Sequence, residues 1–211
     1  MRDEPKLAEP AERHTWPNPR RETPSVAGAW DEMITALRGF LDTVGGVRPD
    51  EATILALKDD LNAWSERLEP FVVAERDQLF ARIMDQPGRG QTMSPALVVD
   101  SQEPGDFRGH VTFGRYFLGV NGAVHGGTLP LMFDEVLGRA AATAIPDQRL
   151  RTAFLKTDFR ALTPLNTRLE VRGWLERQEG RKYFVRGELR HGDVVCADAE
   201  GLFVALKPEQ R

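Results

Sequence analysis

A single cysteine stands in the 211 residues, so no internal disulfide can staple the chain and stability must come from packing. That residue, Cys196, falls in an apolar, strand-like run and reads as a small buried side chain. Nowhere does the sequence approach the roughly 20 apolar residues in a row that a bilayer-spanning helix needs. Its beginning, MRDEPKLAEPAERHTWPNPRRETP, lacks the apolar core of a secretory signal. A reducing cytoplasm is the expected compartment. A charge excess is missing too: 28 Lys and Arg face 32 Asp and Glu, for a formal net charge of −4. No basic stripe accompanies that balance, which argues against nucleic acid as a partner. A local cluster of cations can still serve a small anionic ligand without changing the total. His14, His110 and His191 have no ligand spacing with a Cys or carboxylate, so no metal is expected.

Hydrophobic residues make up 41% and charged residues 28%, the balance of a globular protein, and the length allows one domain with an extension or two small ones. Residues 1–24 are rich in Pro and mixed charge and are expected to form a disordered tail. Residues 25–90 carry a helical period. Trp30, Ile34, Leu37, Leu41 and Val44 define one helix, stopped at Gly45-Gly46. Pro49-Asp50 opens a second, with Ile54, Leu57, Leu61, Trp64 and Leu68 on one face and Pro70 breaking it. A third is expected over Val72 to Met84. Such stripes are expected to bury against a neighbouring domain or a second copy of the chain.

Past Pro87-Gly88-Arg89-Gly90 the period becomes alternating. Strands are expected at Ala96–Val99, His110–Leu118, Thr152–Phe159, Arg168–Glu176, Tyr183–Arg190 and Val194–Leu206, with hairpins at Glu179-Gly180 and His191-Gly192-Asp193. One helix, from about Gly127 to Thr143 and ended by Ile145-Pro146, interrupts them. The plan is α+β, with Leu129, Met132, Phe133, Val136, Leu137 and Ala140 burying the helix on one face of an antiparallel sheet.

The chemistry is concentrated in the stretch from Gly119 to Glu135. It leaves a strand, passes through a Gly-rich turn at His125-Gly126-Gly127 and enters the helix. The first amides of a helix lack intrahelical partners and point outward beside the positive end of the dipole, where they can stabilise an oxyanion. Asp134 falls on the flank of that helix in a lane with Gly127, Pro130, Gly138 and Ala141. Such a lane leaves room for a substrate or a neighbouring subunit beside a general base or nucleophile. Glu135, about 100° further round, reads as a solvated charge.

The pattern Gly122-x-x-His125-Gly126-Gly127, with Asp134 nine residues after the His, resembles the hotdog thioesterases of the phenylacetate-type (PaaI-like) branch. The nearest resemblance is to the thioesterase-superfamily-member enzymes that act on long-chain acyl-CoA. Thr152 to Arg160 is similar to that family's next strand, and Glu179 to Val185 to its later hairpin. The resemblance covers about residues 95–207. It implies a hotdog fold, an antiparallel sheet wrapped around one long helix, here with an N-terminal helical extension. It implies an acyl-CoA thioesterase in which Asp134 acts as general base or nucleophile and the Gly126 amide polarises the carbonyl. By the same resemblance, His125 shapes the site entrance and Thr152 helps hold the attacking water. Asn121, Gly127, Arg181, Lys182 and Arg160 are the substrate-binding candidates, the three cations for the phosphates of CoA. No cofactor is implied, since CoA belongs to the substrate. The resemblance further implies a homodimer or a dimer of dimers as the active unit, with the loop of one subunit facing the Asp of the other. A non-catalytic acyl-CoA-binding or sensing role is the alternative. Many relatives carry a polar residue six positions before the His. Here that position is Gly119, and Asn121 is the nearest substitute.

Overall fold

A computed structural model describes residues 25–145 and 148–207; the tail foreseen at 1–24 lies outside them. Helix α1 (Ala27–Val44) follows the predicted stripe and ends at Gly45. Helix α2 (Glu51–Leu68) opens where Asp50 accepts the Thr53 N–H at 2.8 Å, an N-cap that satisfies one of the orphan amides. It ends two residues before Pro70, which sits in a short 3-10 turn. Only Ala27 and Ile34 of α1 are buried, and no residue of α2 is. The stripe on α2, including Ile54, Leu61, Trp64 and Leu68, stays exposed; the expected burial within the chain does not occur there. The third helix expected over 72–84 is absent too. One 3-10 turn (Glu75–Asp77) stands in its place, and Ala81 takes φ 62°, which no right-handed helix tolerates.

Six strands follow: β1 (Val98–Glu103), β2 (Asp106–Thr112), β3 (Leu150–Phe159), β4 (Arg168–Glu179), β5 (Lys182–His191) and β6 (Val194–Ala205). They form one antiparallel sheet in the order β1-β2-β4-β5-β6-β3. Helix α3 (Thr128–Ala144) lies between β2 and β3 in the chain and packs across the sheet's inner face. Phe133, Val136, Leu137 and Ala140 are fully buried there against Phe107, Leu169, Tyr183 and Phe203. Gly173 and Gly187, paired on β4 and β5, make that approach possible. A Cβ at Gly173 would lie 2.9 Å from Val136 Cγ1, and one at Gly187 would lie 2.9 Å from Leu137 Cδ2. The architecture is the hotdog-like sheet and long helix that the resemblance implied.

The strand expected at His110–Leu118 is displaced. Its ladder runs over Asp106–Thr112, where Phe107, Gly109 and Val111 alternate inward, while Arg115–Phe117 forms a 3-10 turn. The first strand likewise runs over Val98–Glu103 instead of Ala96–Val99.

At the sheet edge, β3 carries a bulge. Thr152 pairs with Phe203 and Phe154 with Leu202, so Ala153 is the extra residue. Phe203 is buried inside and Leu202 faces outward. The bulge therefore turns Thr152, Leu155, Thr157 and Phe159 to the helix side of the strand.

Candidate active site

Two groups of residues stand out, one in the loop that leads into α3 and one on α3 itself. The first is a loop. Ala123 N–H donates to Val120 O at 3.0 Å across Asn121 (φ 54°) and Gly122 (φ 73°), the positive pair of a type I′ turn. A Leu118–Val124 bridge and a Gly119 N–H to Ala123 O bond of 2.9 Å close this small hairpin. His125 N–H then donates to Phe117 O at 2.8 Å, which fixes the chain as it enters α3. Asn121, His125 and Gly126 line an open cavity of about 450 Å³ together with Leu118, Val120 and Leu162.

The amides at the mouth of α3 are not all free, contrary to the outward row expected of them. Gly127 N–H donates to His125 Nδ1 at 3.0 Å, so this candidate substrate contact is already engaged by the imidazole. Thr128 N–H donates to His125 O at 2.9 Å and Leu129 N–H to Gly126 O at 3.3 Å. Pro130 has no N–H to give. Among the described residues the Gly126 N–H has no acceptor, which leaves it as the donor available to a ligand. Because His125 Nδ1 accepts, a neutral ring carries its proton on Nε2, a second donor beside Gly126.

The second group is the carboxylate. Thr152 Oγ1 donates to Asp134 Oδ1 at 3.0 Å, joining β3 to α3 across 18 residues. Both side chains are exposed. Neither lines the cavity at His125. Within one chain the structure brings Asp134 to Thr152 and His125 to Gly126, as two separate groups, one on α3 and one in the loop before it. Phe159, on the same inner side of β3 as Thr152, lies close to the loop: a side chain at position 126 would come 3.5 Å from its ring, which is itself 59% exposed. Strict alternation from Thr152 would put Phe159 on the outer face, so only the bulge reveals its place.

Glu135 is not the solvated charge the sequence suggested. Its side chain is 12% exposed and lies between Arg89 Nη2 at 2.9 Å and Arg139 Nε at 2.7 Å. The i to i+4 spacing to Arg139 was visible in the sequence; the approach of Arg89 from the linker was not. The three cations foreseen for CoA differ in commitment. Arg160 pairs with Asp198 and Asp158, and Arg181 Nη1 donates to Ala205 O at 2.9 Å. Lys182 is exposed, with no ion pair among the described residues.

A model of the thioesterase superfamily matches residues 121–197, from the Asn-Gly turn into β6. The crystal structure of a thioesterase-superfamily protein resembles this one at 30% identity and a TM-score of 0.72, over 83% of this chain and 94% of its own. AziG of S. sahachiroi shares the fold at 18% identity and a TM-score of 0.50, over 53% of this chain and 91% of its own. Among curated proteins, the acyl-coenzyme A thioesterase THEM4 of Bos taurus is 34% identical over 99 residues, 46% of this chain and 40% of that protein. Its Mus musculus counterpart is 32% identical over the same length, 46% of this chain and 42% of that protein. The chain thus spans well under half of these curated relatives. With 30% identity and matching structure over 94% of the solved relative, the chain belongs to the thioesterase superfamily.

Proposed function

We propose that this protein hydrolyses an acyl-CoA thioester to the free acid and CoA, with Asp134 as general base. The observation that carries the reading is the Thr152–Asp134 hydrogen bond of 3.0 Å, which holds a carboxylate at an exposed position on α3. An exposed acid held by a hydroxyl has one free oxygen, Oδ2, to take a proton from water. Hydroxide then adds to the thioester carbonyl carbon. The oxyanion is met by the Gly126 N–H and by His125 Nε2–H. As the carbonyl re-forms, the C–S bond breaks and the CoA thiolate leaves, to be protonated by the acid that Asp134 has become. Direct attack by Asp134, through an anhydride later opened by water, would use the same groups.

The separation of the two groups within one chain supports a homodimer as the active unit. A loop from one copy facing Asp134 of the other would complete the site. Strand β3 is one of the sheet's two edges, and it exposes Phe154 and Phe159. The names of the curated relatives support acyl-CoA as the substrate class. Lys182, and secondarily Arg181 and Arg160, would meet the phosphates of CoA, and Asn121 its pantetheine amides.

The test is thiol release from a panel of acyl-CoAs, read with a thiol-reactive dye. Cys196 does not interfere, because it is 1% exposed and burial pushes its thiol pKa up. Asp134→Asn is expected to lower the rate by about 10²–10⁴. Acyl-CoA binding by the wild type without thiol release above background would replace the enzyme with a sensor.

A further inference from the structure

The residue after the proposed base is tied to the N-terminal region through a strained loop. Gly88, Arg89 and Gly90 have φ of 62°, 60° and 67°, three successive residues in the left-handed region. Glycine adopts that region freely; arginine does so only when its surroundings hold it there. Here α1 supplies the hold. Trp30 Nε1 donates to Gly90 O at 2.8 Å, Arg38 donates to Gln91 O and, at 3.1 Å, to Ser94 O, and Gln86 Nε2 returns to Ala27 O at 2.6 Å. From that clamp the Arg89 guanidinium reaches Glu135 Oε2, while Arg139 occupies Oε1. Among the described residues Arg89 Nε is buried without an acceptor, a cost accepted to keep the guanidinium on Glu135.

We propose that Arg89 and Glu135 are positioning residues through which the N-terminal region sets the orientation of Asp134. The inference rests on the reading of Asp134 as the hydrolytic carboxylate. Its lever is the helix itself. The Asp134 carboxylate stands about 5–6 Å from the α3 axis, so a roll of about 10° moves it by about 1 Å. A displacement of that size costs on the order of 10² in rate when it separates reacting groups. Thr152 holds Asp134 on one flank of the helix, and the Arg89–Glu135 pair, about 100° further round, gives a second anchor against a roll.

The experiment uses the full chain with Arg89→Met, Glu135→Gln, Arg89→Lys and the double Arg89→Met/Glu135→Gln. In Arg89→Met, Glu135 keeps Arg139, so the fold is expected to survive. Arg89→Met and Glu135→Gln should each lower kcat by about 10–100-fold with KM within about twofold. Arg89→Lys should recover most of that loss, and the double variant should be no worse than either single one, because both cut the same link. Hydrogen exchange should accelerate in Arg89→Met over the first three turns of α3 and not in β4–β6. Wild-type kcat in Arg89→Met, or exchange that is unchanged or faster throughout the sheet, would overturn the proposal. Exchange reads the link even if no acyl-CoA in the panel is hydrolysed; that outcome, seen in the wild type itself, would count against the hydrolase reading alone.

Discussion

Replacing Gly119 by alanine probes how tightly the His125 loop is drawn. An added Cβ would lie 2.9 Å from His125 Cα and 3.1 Å from His125 N. Carbon atoms pack favourably at about 3.5–4.0 Å, so the two backbones must part by about 0.6–1 Å. Neither neighbour is a side chain that can swing away. Parting them stretches the His125 N–H to Phe117 O bond of 2.8 Å and the Gly119 N–H to Ala123 O bond of 2.9 Å. Loss of these two bonds, at about 1 kcal/mol each, together with overpacking of about 1 kcal/mol, gives a destabilisation of roughly 2–4 kcal/mol. If the loop yields instead, Gly126 moves with His125, and kcat is expected to fall by about 10²-fold. Gly122→Ala is the control. It has φ 73° and nothing within 4 Å of an added Cβ, so only backbone strain of about 1–2 kcal/mol opposes it. Its kcat should stay within about threefold of wild type. Thermal melting and thiol release on both variants decide the matter. Gly119→Ala with wild-type kcat and wild-type melting would refute the reasoning, and so would a larger kcat loss in Gly122→Ala.

Thr152→Val keeps the side-chain shape and removes the donor to Asp134; kcat should drop by about 10-fold or more, since the proposed base loses the hydroxyl that orients it. Melting should barely shift because both groups are exposed, and an unaltered kcat would separate Thr152 from the chemistry. On the outer face, partial burial pushes the Asp106 carboxyl pKa up, but the Arg172 and Arg108 guanidinia outweigh it and hold the pKa below the usual 3.8. The unfolded chain therefore binds this proton more readily. The contribution of Asp106 is complete above about pH 4 and is lost as pH falls through the depressed folded value. Urea unfolding of Asp106→Asn should differ most from wild type near neutrality and converge on it in acid; an equal difference at both pH values would contradict that sign.

The helices α1 and α2 and the strands β4–β6 were legible because each carries a periodic stripe bounded by a turn residue: Gly45, Asp50, Gly180 and Gly192 mark their ends. Where the period misled, another force had won. Val72 to Met84 is apolar enough for a helix, but Ala81 is drawn into a left-handed turn. Phe113 to Leu118 looks like strand, yet Asp42 Oδ1 takes the Tyr116 N–H at 2.8 Å and secures a 3-10 turn against α1. The family pattern singled out Asp134 and Thr152 separately, not the hydrogen bond between them; spacing alone could not place a strand residue on a helix flank. The Arg89–Glu135 pair joins residues far apart in sequence through a loop whose backbone angles no propensity would suggest. Gly119, first noted as a missing polar group, proves to be a position where any side chain collides.

The bulge at Ala153 makes the start of β3 a frame-sensitive stretch. Removing one residue there would leave the β3–β6 ladder able to pair without interruption, and the sheet would still form. Deleting Ala153 itself keeps Thr152 opposite Phe203 and Phe154 opposite Leu202, so Thr152 stays beside Asp134; deleting one residue from the regular ladder after the bulge instead shifts Thr152 out of that register, and Asp134 loses its hydroxyl. Single-residue insertions and deletions in this strand should therefore separate folding from hydrolysis more cleanly than most substitutions do. A library of length variants over residues 150–158 would contain well-folded chains that keep activity when Ala153 is the residue lost and lose it when the loss falls between Phe154 and Asp158.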